Sequence, residues 1–549
     1  MLGGPAFADM YPDGSNAKLP TAGTASAAVC QTSGGSLLAQ AWGCPGIDPM
    51  QYGAVGNGVA DDTNAVKAAA AAAVAKRLPL LITHLHKTAA LDLTGGPIVI
   101  SGSTRGGFRN GQQNDTLDCP VGFVPSATNI DGYIKLTGDS SISNLCINML
   151  APGTNTTGRA ITNETVCDAS ATCPLGHDVT VSNVLINGPC IGIAFSGSYD
   201  AVLNNTLITN VQGTGCGGVR FGAFTNSNRS IQPILDHFIF FGSYGAATPP
   251  DYGVLILDAG GPLLTNNAVQ TANYGLIVRP SVDLTTTHGS QNIQALSSSN
   301  NYWGDTNVSG GILIDALSGA FGFQQQSPNV FVNDWVSGGT NGLTIKNTAG
   351  GGTIVAGFVF TNFRATGFTG VCVLTSGAVS DIKLDMRCDN AKLGGVNIGS
   401  GTTDVRIHNS FFQNVSPFTP ATMPYCVNFG AAPQRDVVVG NDFSLCTTPI
   451  AGTLPTGAGL SGALITKNLG LDGSPQTVAS ATSITLGEAP VVSLTGTTTV
   501  NTINGDPNVQ YTFLCAAVIT FATGGNLANA GTCSTALTAT HLGSSWFLH

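Results

Sequence analysis

Between Asp381 and His408 the chain carries eight of its 50 charged residues, about three times the charge density of the whole sequence. Two strand-like segments hold most of them, DIKLDMRC from Asp381 and DVRIHN from Asp404. Alternation along the first turns Ile382, Leu384 and Met386 inward and sends Lys383, Asp385 and Arg387 outward. In the second, Arg406 and His408 face out. If the segments stack in register from their leading aspartates, Lys383 stands beside Arg406 and Asp385 beside His408. Removing a proton next to a uronate carboxylate needs a base, and positive charge to hold the enolate that forms. Lys383, Asp385, Arg406 and His408 supply those parts and are the candidate catalytic residues, with Arg387 as a substrate contact. A solvated face, or a subunit contact held by ion pairs, would use the same residues.

Hydrolysis of a glycoside would need two carboxyls instead, about 5–5.5 Å apart for retention or about 6.5–9.5 Å for inversion. Asp236 beside His237, Asp251, Asp258, Asp305 and Asp334 are candidates. Trp303 and Trp335, two of only four tryptophans, are candidate platforms for sugar rings. Packing between layers of the fold is the competing role for both. Asp178, Asp200, Asp381, Asp404 and Asp436 each open a short strand and read as turn formers. Glu164 falls in a loop-like excursion over 151–177. No Cys/His cluster has zinc spacing and there is no calcium-loop pattern, so neither a metal nor a cofactor is implied.

These candidates sit in a repeat. The pattern Asp, apolar, x, apolar, followed closely by Asn or Asp, recurs from Asp178, Asp200, Asp381, Asp404 and Asp436, with a weaker copy at Asp139. Successive starts lie 22 residues apart (178 to 200), 23 (381 to 404) and 32 (404 to 436). Short glycine-ended strands such as GIAFSG and GVNIGSG fall between them. Units of about this length with two or three strands predict an all-β chain coiled as a parallel β-helix. Room for roughly 15 coils lies between residues 80 and 465, a stack of about 70 Å.

Composition agrees. Only 9% of the 549 residues are charged, Glu occurs twice (Glu164 and Glu488), and glycine supplies 72. Stacked coils place each side chain beside its counterpart, where like charges repel and Ser, Thr and Asn do not. The same figures exclude a largely helical protein. A net charge of -10 with 20 Lys and Arg argues against nucleic acid as partner. No apolar run is long enough to insert into a membrane. Organisation follows as an N-terminal extension over 1–45, a cap with one helix over 46–80, the β-helix over 81–469 and a small β domain over 470–549. Asp62 or Thr63 is placed to N-cap the alanine-rich helix, which should end near Arg77.

The run from Asp48 to Gly58, DPMQYGAVGNG, followed by DDTNA from Asp61, resembles the N-terminal signature of the pectate-lyase-like superfamily, with Asn57 where that family more often has Asp. The resemblance implies a right-handed parallel β-helix, and a superfamily of lyases, hydrolases, epimerases and phage tailspikes. The family hydrolases' paired Asp-Asp, Gly-His-Gly and Arg-x-Lys motifs do not occur in the helix body. The stretch from Ser483 to Asn526, with Trp546 beyond it, resembles the β domain that closes many phage tailspikes and fibres. That resemblance implies a homotrimer joined to other virion tail or baseplate proteins and binding host surface polysaccharide. A secreted bacterial polysaccharide lyase or hydrolase, and a purely structural virion component, are the alternative readings.

Fourteen cysteines fall as neighbours along the chain: Cys30 and Cys44, Cys119 and Cys146, Cys167 and Cys173, Cys190 and Cys216, Cys372 and Cys388, Cys426 and Cys446, Cys515 and Cys533. The even count points to disulfides in an oxidising compartment, although spacing alone leaves their connectivity open and core thiols are the alternative. The first thirty residues show neither a basic segment nor a continuous apolar one, so a classical secretory leader is not expected there. Release in a virus particle would reconcile the two.

Overall fold

Asparagine and aspartate hold the corners of the coils. Of 22 non-glycine residues with positive φ among the described residues, sixteen are Asn or Asp, whose short polar side chains tolerate the left-handed region. Asp178, Asp200, Asp381 and Asp404 are among them. These aspartates therefore bend the chain into each strand, as their recurrence suggested. Asp436 departs from that expectation. Arg435 takes the positive φ instead, and Asp436 is buried, its carboxylate accepting from Val405 N at 2.8 Å.

The computed structural model of the chain describes residues 46–549 apart from 109–116, 152, 164–175, 223–229, 244–245, 258, 281–292, 305–307, 317–322, 324–327, 350–354, 416–419, 431–434, 453–463, 467, 469–475, 487–490, 506–509 and 543. The extension over 1–45, Cys30, Cys44, Cys167, Cys173, Glu164, Asp258 and Asp305 lie outside the described residues.

Between the corners, each short strand pairs in parallel with its counterpart in the next coil. One column of strands is a 13-stranded sheet running from Leu91–Leu93 to Cys446–Gly452. It sets thirteen coils where the repeat suggested about 15, because coils are longer than the shortest sequence period. Inward residues in register span 22 positions from Val254 to Leu276 but 36 from Leu276 to Ile312. Thirteen coils make a stack of about 60 Å. The remaining strands of the helix form mainly one 23-stranded sheet. Six of its strands matter below: β1 (Tyr302–Trp303), β2 (Trp335–Ser337), β3 (Val355–Phe368), β4 (Val379–Ala391), β5 (Val405–His408) and β6 (Phe411–Gln413). The interior is a continuous apolar stack in which, for example, Phe331 and Phe360 lie face to face with centroids 4.6 Å apart.

The single α-helix among the described residues, α1 (Thr63–Lys76), covers the N-terminal end and buries Val66, Ala69, Ala70 and Ala73. Small side chains let it lie close over the first coil. Asp62 takes the expected N-cap position, where its backbone carbonyl accepts from Val66 N at 2.9 Å but its side chain makes no cap hydrogen bond, and Thr63 Oγ1 accepts from Ala89 N. At the other end, five strands between Gln476 and Leu548 form a mixed sheet with its own core around Tyr511, Phe513 and Trp546. No helix among the described residues is long and apolar enough to cross a membrane.

Among the described residues five disulfides join the neighbours Cys119–Cys146, Cys190–Cys216, Cys372–Cys388, Cys426–Cys446 and Cys515–Cys533. The connectivity that spacing left open is therefore local, stapling chain that is close in sequence. Such bonds fit an extracellular setting.

Candidate functional site

The strand alternation read from DIKLDMRC holds. Ile382, Leu384 and Met386 are buried in the core of β4, while Lys383, Asp385 and Arg387 face outward. On β5, Val405 and Ile407 point in, and Arg406 and His408 point out. Lys383 is the register partner of Arg406, and Leu384 of Ile407. Asp385 and His408 follow one residue further along their strands.

The site lies where the regular corner is lost. β4 runs through it with one residue fewer than its neighbour, since Phe360 pairs with Leu384 but Phe363 with Met386. The next coil restores the residue, Asn409 bends at φ 51°, and Met386 N reaches across to Ser410 Oγ at 3.1 Å. Asp385 therefore stands at an irregular step between two normal coils.

Lys383 and Arg406 are like charges directly side by side, an arrangement that destabilises a sheet unless something else uses it. Neither side chain makes an ion pair or hydrogen bond among the described residues. Asp404, the carboxylate two positions before Arg406, is engaged by Arg435 instead. His408 Nδ1 lies 3.3 Å from Asn409 Nδ2. Two cations, a carboxylate and an imidazole thus point outward on adjacent coils.

A second outward row runs along the next column. Tyr302 pairs with Trp335, Trp335 with Arg364, Arg364 with Arg387, and Arg387 with Phe411. Ring centroids of Tyr302 and Trp335 are 4.9 Å apart. The Arg364 guanidinium lies 4.8 Å from the Trp335 ring centroid, and that of Arg387 lies 5.5 Å from Phe411. Asp389, also on β4, is buried beneath the arginines. It accepts from Arg387 Nε at 2.8 Å and from Gln413 Nε2 at 2.8 Å, with Arg364 Nε at 3.6 Å. One carboxylate thus braces two guanidiniums, each about half exposed.

Trp335 is 38% exposed, whereas Trp303 is not accessible. A two-residue strand has one outward position, Tyr302 takes it, and Trp303 is fully buried between coils. The described hydrolase candidates, Asp236, Asp251 and Asp334, have separate surroundings. Asp251 accepts from Gly215 N and Asn273 Nδ2 beside the 13-stranded sheet. Asp236 is taken up by Thr265, His237, Asn266 and Asn204 in the other sheet. Asp334 is buried, closing an internal ladder in which Asn267 N donates to Asn301 Oδ1 and Asn301 N to Asp334 Oδ1, each at 2.8 Å.

Burial pushes the Asp334 carboxyl up to about 6, against the opposing pull of hydrogen bonds from Ser298 and Asn301. The folded chain therefore holds this proton at a pH where the unfolded chain has released it, and stability falls as pH rises from about 4 to 6. Asn in that place would continue the ladder without the charge. Asp334→Asn is expected to raise stability at pH 7 by on the order of 1–3 kcal/mol and to leave it nearly unchanged at pH 4. Urea unfolding at both values checks this, and a loss of stability at both would refute it.

Arg364, Asp389, Phe411 and Tyr302 were not singled out from the sequence. Their trace was there, since Arg364 precedes Arg387 by 23 residues, the interval that separates Asp381 from Asp404. No group of three or more His, Cys, Asp or Glu among the described residues is placed to hold a metal. A cavity of about 310 Å³ lies at the cap between α1 and the first coil, lined by Lys67, Ala70, Val74, Asp92 and Ile98. It is remote from these rows along the stack.

No protein-family model matches the chain, and no curated protein matches it in sequence. Solved structures do share its architecture. The A-module of mannuronan C-5 epimerase AlgE6 from Azotobacter vinelandii is 12% identical, with 77% of this chain and 98% of that one covered and a TM-score of 0.42. The catalytic unit of a GH87 α-1,3-glucanase from Streptomyces thermodiastaticus is 12% identical over 76% of this chain and 69% of its own, with a TM-score of 0.42. The Dettilon tailspike protein is 13% identical over 74% and 68%, with a TM-score of 0.40. The stacked parallel strands themselves make the fold a parallel β-helix.

Proposed function

We propose that this chain is a phage tailspike or tail-fibre protein, a homotrimer in the virion whose β-helix binds host surface polysaccharide through the outward rows of β1 to β6. The observation that carries the reading is Lys383 beside Arg406. In a protein that avoids charge, two adjacent cations without a carboxylate partner favour an anionic ligand over a structural ion pair. Outward-facing aromatic and arginine side chains on the neighbouring row support the same assignment.

The chemistry these groups fit is β-elimination. His408 takes the proton from the carbon bearing the uronate carboxylate, and Asp385 stabilises the imidazolium. Lys383 and Arg406 hold the charge that develops on the carboxylate oxygens. The bond to the glycosidic oxygen then breaks, a carbon–carbon double bond forms, and the departing oxygen takes up a proton from water.

Incubation with capsular and exopolysaccharides, following ultraviolet absorbance and reducing ends together, tests the reading. Absorbance from the unsaturated uronate is the expected result, with light scattering giving a trimer. Reducing ends alone would replace elimination with hydrolysis. No binding to any glycan, the true host's included, would leave a structural virion component.

A further inference from the structure

We propose that the row Tyr302–Trp335–Arg364–Arg387–Phe411 is a binding subsite for an anionic glycan, a sugar chain bearing carboxylate or sulfate, lying along the axis of the β-helix. The proposal rests on the polysaccharide reading above and deepens it, giving this row its own charge preference and the glycan its direction along the stack. It stands on observations separate from the Lys383 cluster.

The row is continuous. Each member is the register partner of the next, so five coils present their side chains in one line at the strand spacing of about 4.8 Å. Its composition is graded, with aromatic rings at both ends and guanidiniums between them. Arg364 lies over Trp335 and Arg387 over Phe411, and the stacked rings keep each guanidinium from swinging into solvent.

Charge decides the ligand class. Arg364 and Arg387 are like charges in direct register, and between them they have one carboxylate, the buried Asp389. Asp389 also accepts from Gln413. The brace therefore fixes both guanidiniums and leaves one net positive charge at half-exposed positions. A planar guanidinium with spare donors pairs bidentately with a carboxylate or sulfate. A neutral glycan would need the aromatic faces and hydroxyl partners but would leave that charge unused. Trp335 and Phe411 suit the apolar faces of sugar rings on either side.

The test uses the full-length protein with alginate oligosaccharides, chondroitin sulfate and neutral dextran as probes. Trp335 is 38% exposed while Trp303 and Trp546 are buried, so the part of the acrylamide quenching that Trp335→Phe removes reports on this row. The two anionic probes are expected to shield that part and dextran to leave it unchanged. Alginate against chondroitin sulfate separates carboxylate from sulfate recognition. Arg364→Gln and Arg387→Gln should each weaken anionic binding at least tenfold and flatten its salt dependence. Arg364→Lys keeps the charge, tests the planar fork independently of any folding defect, and should recover only part of the affinity. Equal binding of dextran, or anionic binding unaffected by all three arginine variants, would overturn the subsite and leave the polysaccharide reading standing. Failure of every probe and of host glycan would remove both.

Discussion

Replacing His408 or Lys383 by alanine is expected to lower cleavage of a responsive polysaccharide by about 10²–10⁴-fold, the usual contribution of a positioned base or charge-stabilising group. The accompanying effect on stability distinguishes this role from a structural one. Lys383 has no ion-pair partner among the described residues and abuts Arg406 in the next coil. Removing it relieves a like-charge contact, so the melting temperature should hold or rise slightly. A subunit contact built on Lys383 would behave in the opposite way, with the trimer weakened and turnover on soluble oligosaccharides preserved. Parallel kinetics, melting and light scattering on Lys383→Ala and His408→Ala therefore separate the two. Unchanged turnover in both variants would remove the cluster from the chemistry.

Much of this geometry was legible because a β-helix writes its register into the sequence. Asp381 and Asp404 open equivalent corners, both with positive φ, so counting from them placed Lys383 beside Arg406 without a structure. Period-two alternation then gave the inward and outward faces of β4 and β5. The same logic fails where the corner changes. Trp303 follows an αL asparagine, Asn300, and a buried one, Asn301, and which of two consecutive aromatics faces in depends on the turn between the strands. Composition could not decide that parity.

Arg364 and Asp389 escaped notice for a related reason. Arg364 belongs to β3, whose coil does not open on the Asp, apolar, x, apolar pattern, so no repeat drew attention to it. Asp389 stands next to Asn390 in the sequence, yet it is buried and Asn390 makes the turn at φ 58°. A short polar residue next to another offers two candidates for one left-handed corner, and the loser is free for other work. The corner before the Asp436 strand shows a related ambiguity, since there Arg435 bends and Asp436 goes inside.

Asp62→Ala is expected to cost about 3–5 kcal/mol, the range for removing one partner of a buried polar pair. The Asp62 carboxylate accepts from Val55 N at 2.7 Å, Gly56 N at 2.9 Å and His86 Nδ1 at 2.9 Å, and both Asp62 and His86 are buried. It therefore ties the DPMQYGAVGNG loop, the start of α1 and the first coil together at one point. Alanine would leave two backbone donors and an imidazole without their acceptor. Burial alone would push this carboxyl up, but the bonds from Val55, His86 and Gly56 outweigh it and hold it below the usual carboxylate range. The stability it contributes is therefore full above the unfolded value near 4 and is lost as pH falls through the lower folded value. Wild type should lose melting temperature in acid below about pH 4, whereas Asp62→Ala should start lower and change less there. Faster amide exchange in α1 than in the 13-stranded sheet would place the damage at the cap. A variant that melts like wild type at pH 7 would show that the coils hold the cap without this latch, and the signature that resembles the pectate-lyase-like superfamily would then need another physical cause.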